Sequence, residues 1–250
     1  MTDAEPRGPL RTEFAEELEE IVRRITRLAA HVTEAIPRTT EALLENDLQT
    51  AQAMIDHDDE VDALAIDIEE QCYRVLALQA PVASDLRAII AAIRLVSEIE
   101  RSADLMVNVC KATRRIYPAE LSPPVRGLLE QMSEQATRLF RMCMDAYVDR
   151  DAALAAALDD IDDRLDELHA DYVQAVLRWG SEQGDIQPAV QLALIGRYYE
   201  RVGDHAVNIG ERVRYMVDGW LPEHTGAARA EARKPTWVEA EPDDREPPGS

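Results

Sequence analysis

The chain has 250 residues, of which 46% are hydrophobic, so it can bury a large core in one or two domains. Its formal net charge of −22 makes nucleic acid and anionic membrane surfaces poor direct partners, because both would repel it, and favours cations and basic protein surfaces. No stretch approaches 18 uncharged apolar residues, so we expect no direct insertion into a membrane.

The N-terminal segment, residues 1–11, carries acids and prolines where a secretory signal needs a basic end and an apolar run. We predict that this segment is disordered. The three cysteines, Cys72, Cys110 and Cys143, are widely spaced among apolar residues, which is typical of reduced thiols in a core. These features predict a cytoplasmic protein.

Helical periodicity runs from about residue 12 to residue 220, with few glycines and no alternating strand pattern, so we predict an all-α fold. Prolines mark three of the joints between helices. Asp47 and Asp151 mark two more, because an aspartate can cap the helix that follows it. The predicted helices span residues 12–45, 47–79, 84–116, 123–149, 151–182 and 188–218.

The two halves of this pattern align with each other, at a separation of 104 residues over the first two helices and 100 by the third. We therefore predict two tandem three-helix bundles related by internal duplication, at residues 12–118 and 119–222. Short connections place the second and third helices of each bundle side by side. Residues 223–250, rich in proline and acids, are predicted to form a disordered tail.

The third helix of each half carries the pattern E-R-x-x-D-x-x-x-N, at residues 100–108 and 200–208. Positions four and eight apart lie nearly above one another on a helix, so each pattern aligns carboxylate and amide oxygens on one face. That face is apolar in the first half and is formed by small residues in the second, such as Gly196 and Gly203. A carboxylate on a packing face needs a positive partner, because an unpaired buried charge costs several kcal/mol.

The second helix of each half carries D-x-x-x-D, as Asp58 with Asp62 and as Asp162 with Asp166. Both pairs share their helical direction with apolar or small residues, which again turns carboxylates toward the core. Neighbouring acids such as Asp59 and Glu60 keep a solvated acidic face open as an alternative.

A cluster made only of oxygen donors suits hard cations such as Mg²⁺ or Mn²⁺, whereas iron or zinc would want a histidine. His205 follows Asp204 but points about 100° away on the helix, which favours a surface or interhelical position. Asn108 and Asn208 remain open as ligands or as caps. Arg101 and Arg201 remain open as salt-bridge partners or solvent-facing charges.

Two other function classes compete with a metal-binding regulator. A di-metal carboxylate enzyme would use E-x-x-H on two helices, a pattern that this chain lacks, and nothing resembles an activated serine or cysteine. A purely structural helical adaptor would pair its acids with arginines instead of metal ions.

The chain resembles the PhoU family over residues 12–218. The resemblance rests on the duplicated E-R-x-x-D, the D-x-x-x-D before each copy, and the segment L-Q-A-P-V-A-S-D-L-R at residues 78–87. It implies two tandem three-helix bundles, self-association as a homodimer, no catalysis, and metal ions (Mg, Mn, Fe or Zn) on acidic helix faces. The metal positions it implies are Glu100, Asp104, Asp58 and Asp62 in the first half, and Glu200, Asp204, Asp162 and Asp166 in the second.

The resemblance also implies a function in phosphate homeostasis. Proteins of this family act with the ATPase subunit of the phosphate ABC transporter and with a phosphate-sensing histidine kinase. Through these partners they repress the phosphate-starvation response when phosphate is plentiful. Some members accompany a different phosphate carrier, so the transporter partner stays open.

Overall fold

The computed structural model describes residues 9–183 and 186–219, and all regular secondary structure among them is helical. The predicted all-α class is confirmed. Helix α1 begins three residues before its predicted start, while the predicted disorder of residues 1–8 and 223–250 lies outside the described residues. The helices are α1 (Pro9–Leu44), α2 (Leu48–Asp56), α3 (Asp58–Gln79), α4 (Ala83–Ile116), α5 (Pro123–Asp149), α6 (Ala152–Gln183) and α7 (Ile186–Asp218).

The predicted helix at residues 47–79 is wrong in one respect, because the structure divides it into α2 and α3 at His57. Three consecutive acids, Asp58, Asp59 and Glu60, occupy the first turn of α3 and stabilise a helix N-terminus there. The His57 ring also contacts Glu60 at 3.0 Å. In the second half Arg164 stands where the first has Glu60, and α6 runs unbroken.

Both predicted aspartate caps are confirmed. Asp47 Oδ1 accepts hydrogen bonds from the backbone N–H groups of Gln49 and Thr50, each at 3.0 Å. Asp151 Oδ1 accepts from the backbone N–H groups of Ala153 and Leu154, each at 2.9 Å. Each cap satisfies two N–H groups that have no partner inside the helix, so the duplication extends to the starts of α2 and α6.

The second and third helices of each half pack side by side, as predicted: α3 against α4 in the first half, and α6 against α7 in the second. The halves also pack on each other, through α4 with α7 and α1 with α5. Most buried apolar residues form one continuous cluster that includes Ile25, Ile99, Phe140 and Tyr199. The two repeats therefore share a core, and the boundary between residues 118 and 119 stays a prediction.

A buried hydroxyl network joins the halves inside this core. The Thr40 hydroxyl lies 2.6 Å from the Tyr199 hydroxyl and 2.8 Å from the Ser133 hydroxyl. Thr40 also donates to the Ile36 carbonyl, as threonines in helices commonly do. The network fixes α1, α5 and α7 in register, because each unpaired hydroxyl would cost free energy there.

No described helix has a stretch that is both long enough and apolar enough to cross a bilayer. The three cysteines are buried and form no disulfide, which confirms the prediction of core thiols. Burial raises the pKa of Cys72 and of Cys110 to about 12. Neither thiol is therefore available as a nucleophilic thiolate near neutral pH.

Candidate metal centre

The structure places the eight predicted carboxylates in two groups, each at the seam between two packed helices. Seven of them interact electrostatically within their group, and Glu200 is linked to Asp204 through Arg197. The first acid cluster consists of Asp58 and Asp62 on α3 with Glu100 and Asp104 on α4. The second acid cluster consists of Asp162 and Asp166 on α6 with Glu200 and Asp204 on α7.

These acids lie at the edge of the packing rather than deep inside it. Asp104, Asp166 and Asp204 are exposed, and the other five are half-buried. The apolar and small-residue helix faces predicted from the sequence implied a more inward direction for all eight. The difference arises because the apolar residues of each face reach the core at the centre of the seam, while the carboxylates occupy its rim.

Three carboxyl groups of the first acid cluster have raised pKa values. Burial raises the pKa of Asp58, Asp62 and Glu100, and the negative charge of Asp104 raises all three further. A surface depression of about 290 Å³ lies beside them, and Asp62, Ser97 and Glu100 are among its lining residues. This arrangement concentrates negative charge where a small cation has room.

The second acid cluster is more strongly perturbed. Burial raises the pKa of Asp162 to about 7, with further contributions from Asp166 and Asp204. Burial and the charge of Asp204 also raise the pKa of Asp166. Among the described residues, two carboxylate oxygens here are buried without a hydrogen-bond partner, Asp162 Oδ1 and Glu200 Oε2.

Glycine makes this close approach of α6 and α7 possible. A Cβ on Gly203 would overlap Asp162 Oδ1 and lie 2.8 Å from the Leu165 side chain. Seven residues away in each direction, Gly196 and Gly210 admit Tyr172 and Leu158 in the same way. The small-residue face predicted from the sequence is therefore the face on which α6 packs, and it seats the Asp162 carboxylate against the α7 backbone.

One cation belongs to the second acid cluster. The Arg197 guanidinium pairs with Glu200, which is only 13% exposed, and its Nη2 lies 3.8 Å from Asp204 Oδ2. Arg197 was not predicted as a site residue. The available signal was its position three residues before Glu200, a spacing at which helical side chains meet.

The donor chemistry of both clusters fits a divalent cation. The donors are carboxylate oxygens, and burial and neighbouring acids raise the pKa of five of the eight carboxyl groups. Two of the oxygens have no hydrogen-bond partner in the described part of the chain. Within residues 9–183 and 186–219, however, no three His, Cys, Asp or Glu side chains are placed so that they hold an ion together as they stand. Binding would require the carboxylates to rotate toward the ion.

The sequence model of the PhoU domain matches residues 25–113 and again residues 129–213, more than half of the chain. The chain belongs to the PhoU family. The two matches correspond to the two repeats, and each contains one acid cluster whole.

Named relatives agree with this assignment. The phosphate-specific transport system accessory protein PhoU homolog 1 of Mycobacterium tuberculosis is 36% identical over 214 residues, which are 85% of this chain and 96% of that protein. The crystal structure of PhoU from Pseudomonas aeruginosa matches with a TM-score of 0.77 at 28% identity, over 83% of this chain and 100% of that one. The PhoU structure from Streptococcus pneumoniae gives the same TM-score at 27% identity, over 83% of this chain and 98% of that one.

A polar junction between the two PhoU repeats was also missed from the sequence. Glu98 Oε2 on α4 lies 2.7 Å from His205 Nδ1 and accepts a hydrogen bond of 3.1 Å from Asn208 Nδ2, both on α7. Burial alone would raise the pKa of Glu98, but these hydrogen bonds lower it below its ordinary value. The sequence feature that pointed to this junction was a difference between the two repeats, since the second half has Tyr198 where the first has Glu98.

This junction decides two alternatives that the sequence left open. His205 is buried and interhelical, with its ring directed at Glu98 rather than at the neighbouring acid cluster. Asn208 serves as a hydrogen-bond donor to the same carboxylate. Neither residue is placed as a ligand of the second acid cluster.

Proposed function

We propose that this protein is a regulatory accessory protein of phosphate uptake, which represses the phosphate-starvation response when phosphate is plentiful and binds metal ions on its acid clusters. Membership of the PhoU family supports the assignment to phosphate transport, as does a relative named as an accessory protein of a phosphate-specific transport system. The proposal assigns no catalysis to the chain, and the relatives are likewise named as accessory proteins.

The observation that carries the metal-binding part is the repeated group of four carboxylates at a helix seam. A bound cation would supply positive charge to oxygens that otherwise repel one another. Asp58 and Asp62 would hold it from α3, and Glu100 and Asp104 from α4, so that charge neutralisation favours close packing of the two helices. The donors are all oxygen, which favours Mg²⁺ or Mn²⁺ over iron or zinc.

The partners we propose are the ATPase subunit of a phosphate ABC transporter and a phosphate-sensing histidine kinase. The acidic charge of the chain supports docking on basic protein surfaces. We further propose a cytoplasmic homodimer, in keeping with free buried thiols. A different phosphate carrier as the partner is the alternative that a binding assay with each purified transporter would reveal.

A gene deletion tests the regulatory proposal. Cells lacking the protein should express a phosphate-starvation reporter in phosphate-rich medium, and the wild-type gene should restore repression. Reporter output that stays repressed in the deletion strain would refute the proposal.

Complementation with variants then tests whether the acid clusters take part. Glu100→Gln with Asp104→Asn should restore repression poorly, because two of the four charges of a cluster are lost. Glu130→Gln with Asp145→Asn is the matched control, since both acids are exposed on α5 and outside the clusters. Equal repression by the two double variants would remove the clusters from the regulatory function.

A further inference from the structure

The two acid clusters differ at one position, which lies close to the cluster's carboxylates on α4 in the first repeat and on α7 in the second. Position 197 aligns with position 97 at the separation of 100 residues that relates α7 to α4. Arg197 pairs with Glu200 and reaches Asp204, whereas Ser97 lines the depression beside Glu100. The eight acids are otherwise the same residue types in the same order.

Among the described residues, none gives the first acid cluster an equivalent cation in contact. Lys111 lowers the pKa of Asp58 and Arg101 lowers that of Glu100, but burial and the neighbouring acids outweigh both. In the part of the chain that the structure describes, no Arg, Lys or His nitrogen lies within 4 Å of a carboxylate oxygen of this cluster. Its negative charge is therefore uncompensated at short range.

We propose that Arg197 is an internal counterion that makes the two acid clusters unequal, so that a divalent cation binds the first cluster in preference to the second. This inference rests on the proposed binding of metal ions by the clusters. At the second cluster the entering ion competes with the guanidinium for Glu200 and Asp204, and Arg197 leaves as the ion binds.

The position of Arg197 makes such an exchange feasible. Its side chain is 49% exposed, so the guanidinium can turn into solvent without crossing the core. Its two acidic partners differ in exposure, since Glu200 is 13% exposed and Asp204 is 49% exposed. The contact with Glu200 is the more shielded from water, and we expect it to account for most of the competition.

Mn²⁺ binding to the full-length protein tests the inference, with free Mn²⁺ read by electron paramagnetic resonance at pH 7.5. Each cluster is measured alone. Glu200→Gln with Asp204→Asn leaves the first cluster to be titrated, and Glu100→Gln with Asp104→Asn leaves the second.

Two reciprocal substitutions are then compared in these backgrounds. With only the second cluster intact, Arg197→Ser should tighten Mn²⁺ binding by about tenfold, the scale expected for losing one or two partly exposed ion pairs. With only the first cluster intact, Ser97→Arg should weaken binding by a similar factor. Arg201→Ser is the matched control, because it removes the same charge from an exposed position on α7 and should change affinity less than twofold.

The outcomes separate this inference from the proposed function. If both clusters bind Mn²⁺ with equal affinity, or if Arg197→Ser acts no more strongly than Arg201→Ser, the inference is wrong and metal binding stands. If neither cluster binds Mn²⁺ at millimolar concentration, both are wrong. Should Arg197→Ser fail to fold, the Ser97→Arg comparison alone decides, and unchanged affinity there contradicts the role assigned to this position.

Discussion

Replacing Asp162 by asparagine should stabilise the metal-free protein at pH 8. Folding raises the pKa of this carboxyl from 3.8 to about 7, so the folded state disfavours the ionised form. The sign follows from linkage: the free energy of unfolding falls as the pH rises from about 4 to about 7, because the unfolded chain releases its proton first. Asparagine has nearly the same shape and carries no charge, so it removes this loss.

The magnitude follows from the same values. A pKa difference of about 3 corresponds to about 4 kcal/mol when the group is fully ionised. Asp162 is half-buried, and solvent screening reduces the expected gain from Asp162→Asn to about 1–2 kcal/mol at pH 8. At pH 4 the folded wild-type carboxyl is already protonated, so most of the difference between the two proteins should vanish.

Urea denaturation of wild type and Asp162→Asn, in chelator at pH 4 and pH 8, measures both values. Asp171→Asn is the matched control, since that aspartate is exposed on α6 nine residues away and should shift stability little at either pH. If Asp162→Asn is less stable than wild type at pH 8, or if the two proteins differ in stability by the same amount at both pH values, folding does not raise the pKa of Asp162 as assigned.

Other expected outcomes concern packing, hydrogen bonding and metal removal. Gly203→Ala should lower the free energy of unfolding by about 1–3 kcal/mol, because the added Cβ overlaps Asp162. Gly127→Ala, in open space on α5, should raise it by up to about 1 kcal/mol. Urea denaturation compares the two variants, and equal effects would contradict the close approach of α6 to α7. Thr40→Val should lower the free energy of unfolding by about 1–3 kcal/mol, since it removes the hydroxyl bonded to Tyr199, and an unchanged unfolding midpoint would contradict the network. At pH 8, Mg²⁺ at 100 times its dissociation constant should stabilise the protein by about 2.7 kcal/mol per site relative to chelator, and a thermal midpoint that ignores Mg²⁺ would oppose metal binding.

The helices were predictable because their signals are local. The 3.6-residue periodicity, the proline joints and the caps at Asp47 and Asp151 each depend on residues within one turn of each other. The break at His57 also has a local signal, the three consecutive acids that start a new helix. The apolar pattern continues across this break, and it predicted one helix where there are two. The shared core between the repeats was not predictable, since periodicity identifies a buried face without identifying what covers it.

The same limit applies to the site. Spacing on a helix predicted that Glu100 and Asp104 share a face, and duplication predicted that Glu200 and Asp204 do so again. How deeply each carboxylate is buried in the seam depends on the neighbouring helix, which spacing within one helix does not reveal. The prediction therefore overestimated the burial of the carboxylates. The contact of Glu98 with His205 lies between residues that are 107 apart in the chain, and no pattern within one helix predicts such a pair.

Diffraction from crystals grown with Mn²⁺, recorded where manganese scatters anomalously, tests the central claim most directly. Metal bound as proposed should give an anomalous peak beside Glu100 at the seam of α3 and α4, and a weaker peak or one of lower occupancy beside Glu200. Peaks absent from both acid clusters at saturating Mn²⁺, or found only at other sites on the chain, would contradict the account.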